Sequence, residues 1–193
     1  MNVVSVPANL DDRSFDPMVA ELNEALSAGE GAILVDARKL RWVDPFGMLG
    51  LLAVGRVARD RGRVARLQMP ESSEVVSYLT RMSFFKHARD IYELHGGTRK
   101  RPEGPSDVLL EITPVTSHMD VHQIVDRVNE RALAILTRQL NIPLKEAFQF
   151  SVMLSEVCQN IIDHAEAGGW VATQTYNWQK RLGRKVVSIA VMD

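Results

Sequence analysis

The run Ala32–Asp36 (AILVD) is continuously apolar up to its closing carboxylate. Such a run suits a strand buried on both faces, which in turn needs helices to cover it. The flanking sequence supplies them. Ser14 stands where a cap belongs, before Phe15, Val19, Leu22 and Leu26 at helical spacing, and this predicts a helix to about Ala28 that Gly29 and Gly31 break. On the other side, Arg38–Val43 bridges to Asp44-Pro45-Phe46-Gly47, and an apolar helix follows over Met48–Arg61, closed by Gly62. Residues 2–7 (NVVSVP) read as a first strand ended by Pro7, and Arg63–Met69 as another strand. Pro70-Glu71 opens a helix to about Met82, and Ile91–Leu94 makes a final short strand. This alternation predicts an α/β layer domain with a largely parallel sheet.

After that strand the composition changes. The stretch HGGTRKRPEGPS, His95–Ser106, holds three Gly, two Pro and three consecutive basic residues, so 96–106 reads as a linker between units 1–95 and 107–193. With 193 residues, 46% of them hydrophobic, the chain can bury one or two small cores. Its 23 basic and 24 acidic residues balance to a net charge of −1, and outside the triplet Arg99-Lys100-Arg101 no block is strongly basic. A nucleic-acid partner is therefore not expected. There is neither a leader pattern nor an apolar run of membrane-spanning length, so the expectation is a cytoplasmic protein without a membrane partner. Cys158 is the single cysteine, which excludes a disulfide framework and predicts a buried, inert thiol.

The second unit opens with a strand at Val108–Ile112 and a helix over Met119–Leu140, whose stripe runs through Val121, Ile124, Val125, Val128, Leu133 and Leu136 and closes at Asn141. Pro143 opens the next helix, and Gly168-Gly169 leads into two strand-like runs, Trp170–Tyr176 and Lys185–Met192, joined by a basic turn at Lys180–Arg184. Trp170, Tyr176 and Trp178 fit cross-strand packing better than a ligand platform. His118 and His122 have a spacing that can hold a metal, but no third His lies near them in sequence, and no metal site is expected there.

The helix over Glu146–Ala165 (EAFQFSVMLSEVCQNIIDHA) carries the chemistry. At roughly 100° per residue, Phe150, Leu154, Val157, Cys158, Ile161 and Ala165 share a broad apolar face. Glu156, Asn160 and Asp163 cluster nearly opposite, with His164 at the edge. A carboxylate and a carboxamide at i and i+4 can address one ligand. The Asn oxygen suits magnesium, and the Glu can act as a base. The same pattern also describes a solvated face of an amphipathic helix.

The run Glu156-x-x-x-Asn160-x-x-x-His164-Ala165 resembles the N box of the histidine-kinase-like ATPase superfamily, and its trailing His-Ala is nearer the anti-sigma-factor serine kinases than the sensor histidine kinases. The resemblance implies an α+β sandwich that binds ATP and magnesium. Asn160 would hold the metal against the phosphates and Glu156 would act as general base or position the attacking hydroxyl. His164 would lie in the same box, and Asp193 would stand for the Asp that reads the adenine amino group. The glycines that follow that Asp in the family are absent from these residues, so the expectation is half of such a domain, inactive as a kinase. An open sheet edge would then invite pairing with another copy.

Residues 1–95 resemble a STAS domain, the fold of anti-sigma-factor antagonists, chiefly through ILVDARKLRWVDPFGMLGLLAVGRVARDRG and the tail SFFKHARDIYEL. Asp11-Asp12 stand where the family has an early Asp, and one strand of its front is missing. In many antagonists a hydroxyl residue just before the glycine of the Asp-x-x-Gly turn is phosphorylated. Here that position is Phe46, preceded by Pro45, so this turn cannot be phosphorylated. Asp44 as N-cap and Pro45 as first helical residue explain the turn structurally. The other reading makes Asp44, Phe46 and Gly47 a docking surface, with Phe46 as an exposed apolar anchor.

Together the two resemblances imply a regulatory protein of the partner-switching type, with an anti-sigma-like or antagonist-like protein partner. The alternatives are a non-enzymatic interaction module with a degenerate ATPase unit, and a small structural or ligand-binding α/β protein in which the N-box match is coincidence.

Overall fold

The computed structural model describes residues 1–96, 108–132, 143–164, 168–178 and 184–193. The expected linker beyond Gly96, the end of the long helix at Leu133–Asn141, Ala165 and the basic turn at Lys180–Gly183 lie outside these residues, as does the side chain of Trp178. The chain divides into two compact units, Met1–Pro105 and Ser106–Asp193.

The first unit is mixed α/β with a parallel sheet. Its elements are β1 (Asn2–Ser5), β2 (Asn9–Leu10), α1 (Phe15–Ser27), β3 (Ile33–Asp36), β4 (Trp42–Val43), α2 (Pro45–Asp60), β5 (Ala65–Gln68), α3 (Ser73–Arg81), α4 (Phe84–Ile91) and β6 (Glu93–His95). Strands β1, β3, β5 and β6 pair in that order, all parallel, and β2 pairs with β4 separately. Because the order advances in one direction, right-handed crossovers place every connecting helix on the same face. The burial follows. Val4, Ile33, Val35, Ala65 and Leu67 are buried, whereas Leu34, Asp36, Arg66 and Gln68 are half-buried. The expectation that AILVD is covered on both faces is thus corrected: helices cover one face, and the other carries in-register rows Val3–Leu34–Arg66–Glu93 and Ser5–Asp36–Gln68–His95.

Several element ends also differ from expectation. Ser14 donates to Asp11 Oδ1 (2.8 Å) instead of capping α1 with its hydroxyl. Helix α3 starts not at Pro70-Glu71 but after Ser72, whose hydroxyl accepts from the Val75 amide at 3.4 Å. Arg38–Val43 is more than a bridge, since Trp42-Val43 forms β4. Ser83, in the left-handed region at φ 61°, separates α3 from α4, so the Phe84–Ile91 stretch forms a helix of its own that buries Phe84, Phe85 and Ala88.

The second unit comprises β7 (Val108–Val115), α5 (His118–Ala132), α6 (Leu144–His164), β8 (Gly169–Trp178) and β9 (Arg184–Met192). The three strands form an antiparallel sheet with β8 in the centre. Two register shifts along β7 re-aim its side chains. One core joins helices and sheet: Val121 and Ile124 of α5, Ala147, Leu154, Cys158 and Ile161 of α6, and Leu110, Val115 and Val171 of the strands. The apolar face expected for α6 is the one that packs: Leu154, Cys158 and Ile161 are buried, and Phe150 is partly buried against the same core. Among the cross-strand residues, Trp170 is buried beside Pro114 and Met192, and Tyr176 lies opposite Val186.

Burial of the Cys158 thiol pushes its pKa up to about 11. A thiol held protonated in an apolar core is a poor nucleophile. Reaction with a disulfide reagent should therefore be slow in native buffer and complete after denaturation in guanidinium. Fast native labelling would show that this core is not closed around α6.

Candidate functional site

The turn before α2 is built from local hydrogen bonds. Asp44 is extended (φ −97°, ψ 177°), its Oδ1 accepts from the Gly47 amide at 2.7 Å, and Pro45 occupies the first turn. The Asp44 amide in turn donates to the Leu10 carbonyl at 3.2 Å, tying the turn to β2. Burial raises the Asp44 pKa, against the opposing hydrogen bond from Gly47, and the charges of Asp11 and Asp12 push it the same way. Gly47 is required here: a Cβ on it would meet the Leu10 carbonyl oxygen at 2.5 Å.

Phe46 is not the exposed anchor expected of a docking surface. It is half-buried, edge-on to Phe15 with ring centroids 5.3 Å apart and planes at 80°. The exposed aromatic nearby is Trp42, which the sequence reading passed over.

In the second unit, Glu156, Asn160, Asp163 and His164 are exposed on α6, away from the buried Leu154, Cys158 and Ile161. Four residues of α-helix rise about 6 Å, so the Glu156 carboxylate and the Asn160 carboxamide lie one above the other. Neither forms a side-chain hydrogen bond among the described residues, which leaves the Asn oxygen and both Glu oxygens available to a ligand. His164 sits in the last turn of α6.

Asp193 is exposed at the end of β9. A Cβ on Gly169 would lie 3.0 Å from the Asp193 Cα, so β9 ends against the start of β8, which follows closely on α6 in sequence. The carboxyl ends of α6 and β9 thus fall at the same end of this unit. The last turn of α6 and Asp193 therefore lie toward one end of this unit, while Asp44, Phe46 and Gly47 belong to the other unit.

One residue missed in the sequence connects the polar face to its neighbour. Gln159 meets the His118 ring nitrogen Nδ1 across the helix pair (3.0 Å from its Nε2) and donates to Asp163 Oδ1 at 3.0 Å. The signal was present as the Gln159/Asp163 i, i+4 pair, but the partner on α5 could not be read from spacing. His118 and His122 are both exposed, and no group of three metal-ligating side chains occurs among the described residues. No helix among the described residues is long and apolar enough to cross a membrane.

No family model, curated protein or solved structure matches the chain.

Substituting Asp44 separates cap from charge. Asp44→Ala removes the acceptor for Gly47 and should cost about 0.5–2 kcal/mol. Asp44→Asn keeps an acceptor without the charge. Because the folded-state pKa is raised, protonation of Asp44 favours the folded state. That contribution is full below the unfolded value and is lost as pH rises through the folded one. The Asn variant should then equal or exceed the native chain in stability at neutral pH and show a flatter acid profile in denaturant titrations. Gly47→Ala should destabilise by about 1–3 kcal/mol in the same assay, since backbone cannot yield to the added methyl; a neutral result would mean that β2 is free to move.

Proposed function

We propose that this chain is a regulatory signalling protein of the partner-switching type. Residues 1–95 are a STAS-like module that binds a regulatory protein, and residues 107–193 are a nucleotide-binding module of the serine-kinase kind. The observation that carries the reading is the Glu156/Asn160 pair. It stands exposed and free of described hydrogen bonds on a helix whose other face is locked into the unit core. An unpaired carboxylate and carboxamide at this spacing suit a magnesium-bound triphosphate: the amide oxygen joins the metal's shell, and the carboxylate orders or deprotonates the attacking hydroxyl. The sandwich of two helices on an antiparallel sheet, and Asp193 at the same end as the α6 carboxyl terminus, support it further.

The glycine-rich segments that would cradle phosphates after an adenine-reading Asp are not in residues 1–193. Phosphoryl transfer rests almost wholly on positioning and charge stabilisation. This chain by itself should therefore bind nucleotide weakly and transfer no phosphate. In the STAS-like module the switch by phosphorylation is absent at Phe46, so its partner would be held in one state.

A second reading has its own observation. Leu144, Phe148, Val152 and Met153 are 47–67% exposed on α6, more apolar surface than a helix with no partner presents. They favour an interaction module without chemistry.

Backbone NMR of the chain titrated with magnesium-ATP distinguishes the two. The nucleotide reading expects magnesium-dependent shifts at Glu156, Asn160 and Asp193, with a Kd on the order of 0.1–10 mM that Asn160→Ala weakens by about tenfold or more. An absence of shifts in α6, or binding indifferent to Asn160→Ala, would leave the interaction module standing. Tight binding would overturn the expectation that the site is only part-built.

A further inference from the structure

Five arginines fall between Arg56 and Arg66, with Asp60 as the only acid among them. The fold does not spread them evenly. Where α2 turns into β5 through Gly62 (φ 71°), Arg59 and Arg63 come to one side of an open depression of about 380 Å³. Its far wall is the end of α4 and the start of β6, which contribute Arg89, Asp90 and Glu93.

The hydrogen bonds there are incomplete. Arg59 donates to the Asp90 carbonyl. Arg63 donates through Nε to the Gly31 carbonyl (2.5 Å) and through Nη1 to the Leu26 carbonyl (3.3 Å), but its buried Nη2 has no acceptor. Among the described residues, none of these three guanidinium groups pairs with a carboxylate, whereas Arg66 nearby holds Glu93 at 2.8 Å. Arg59 and Arg89 lie in the last turns of α2 and α4, where cations offset carbonyl partial charge. That accounts for their positions. It does not account for a depression of this size in which neither Arg59 nor Arg89 meets a carboxylate among the described residues.

We propose that this depression binds a small phosphorylated metabolite. The phosphate sits between Arg59 and Arg89, whose forked donors match its oxygens. Asp90 accepts from hydroxyl groups on the rest of the ligand, and Val64 lines the site beside them. The carboxylates in the lining disfavour a long polyanion such as nucleic acid, and the volume is of small-molecule size. The site is in the first unit and does not depend on the nucleotide reading of the second.

The test is NMR of the full chain titrated with ribose 5-phosphate, inorganic phosphate and unphosphorylated ribose, following the arginine Nε–H signals. Saturable ribose 5-phosphate binding at a Kd of about 1 mM or tighter, with the Arg59 and Arg89 signals shifting, is expected, together with weaker phosphate binding and none by ribose. Arg59→Gln with Arg89→Gln should weaken it about tenfold or more without changing the thermal unfolding midpoint by more than a few degrees. Arg89→Gln alone, at an exposed position, serves if the double variant does not fold. No saturable binding, or equal affinity in the variant, overturns the proposal. So does binding of phosphoinositide vesicles in place of ribose 5-phosphate.

Discussion

Helix α2 approaches its neighbours more closely than side chains permit, and the first unit is arranged around that approach. Gly47 lies against the Leu10 backbone, and Cβ atoms on Gly50 and Gly55 would run into the rings of Phe15 and Tyr92. Each glycine inside a helix costs about 1 kcal/mol relative to alanine. The return is that Leu49, Leu51 and Leu52 between them are 0–1% exposed, and a fully buried leucine contributes roughly 1.5–3 kcal/mol. Tyr92 closes the arrangement by donating its hydroxyl to the Leu51 carbonyl, and its burial raises its pKa well above the ordinary tyrosine value. The same seating fixes the Asp44 turn, because a helix pressed onto β2 at Gly47 leaves the Gly47 amide facing the Asp44 carboxylate. It also shelters Phe46 under Phe15, so a protein partner would meet Trp42 and the acidic side chains around Asp44 instead of a bare phenylalanine.

What could be read from sequence was what is decided locally. Asp44 and Pro45 start α2 because a capping carboxylate and a fixed φ act within one turn. The opposed polar and apolar faces of α6 follow from helical periodicity alone. The errors arose where a longer-range choice decided. Ser14 looks like a cap, but Asp11 is close enough to take its hydroxyl. AILVD looks like a strand covered twice, but strand order put all the helices on one side, and no residue within the run carries that information. The helix Phe84–Ile91 was hidden by its continuity with α3, which only the left-handed Ser83 interrupts.

The candidate sites divide along the same line. Glu156 and Asn160 are neighbours in any α-helix, so their juxtaposition was legible. Only the resemblance links Asp193 to them, and its place beside the start of β8 depends on how β8 and β9 pair. Arg59 and Arg63 share one stretch of sequence, but Arg89 joins them only because β6 pairs with β5. A net charge of −1 conceals such a cluster, since charge summed over a chain says nothing about which cations lack partners.

On α6 itself, Leu144, Phe148, Val152, Glu156, Asn160 and His164 follow at intervals of four and form a single ridge, apolar at its start and polar at its end. The polar half is held in register by the contact from Gln159 to His118 on α5 and the bond from Gln159 to Asp163. That chain engages the neighbours of Glu156 and Asn160 but neither residue itself. A helix anchored beside its polar pair, with the pair left uncommitted, has already met part of the ordering cost that a ligand would otherwise meet on binding. The apolar half has no comparable tie to α5 among the described side chains. One ridge therefore carries a polar half anchored beside α5 and an apolar half whose Leu144, Phe148 and Val152 stand exposed.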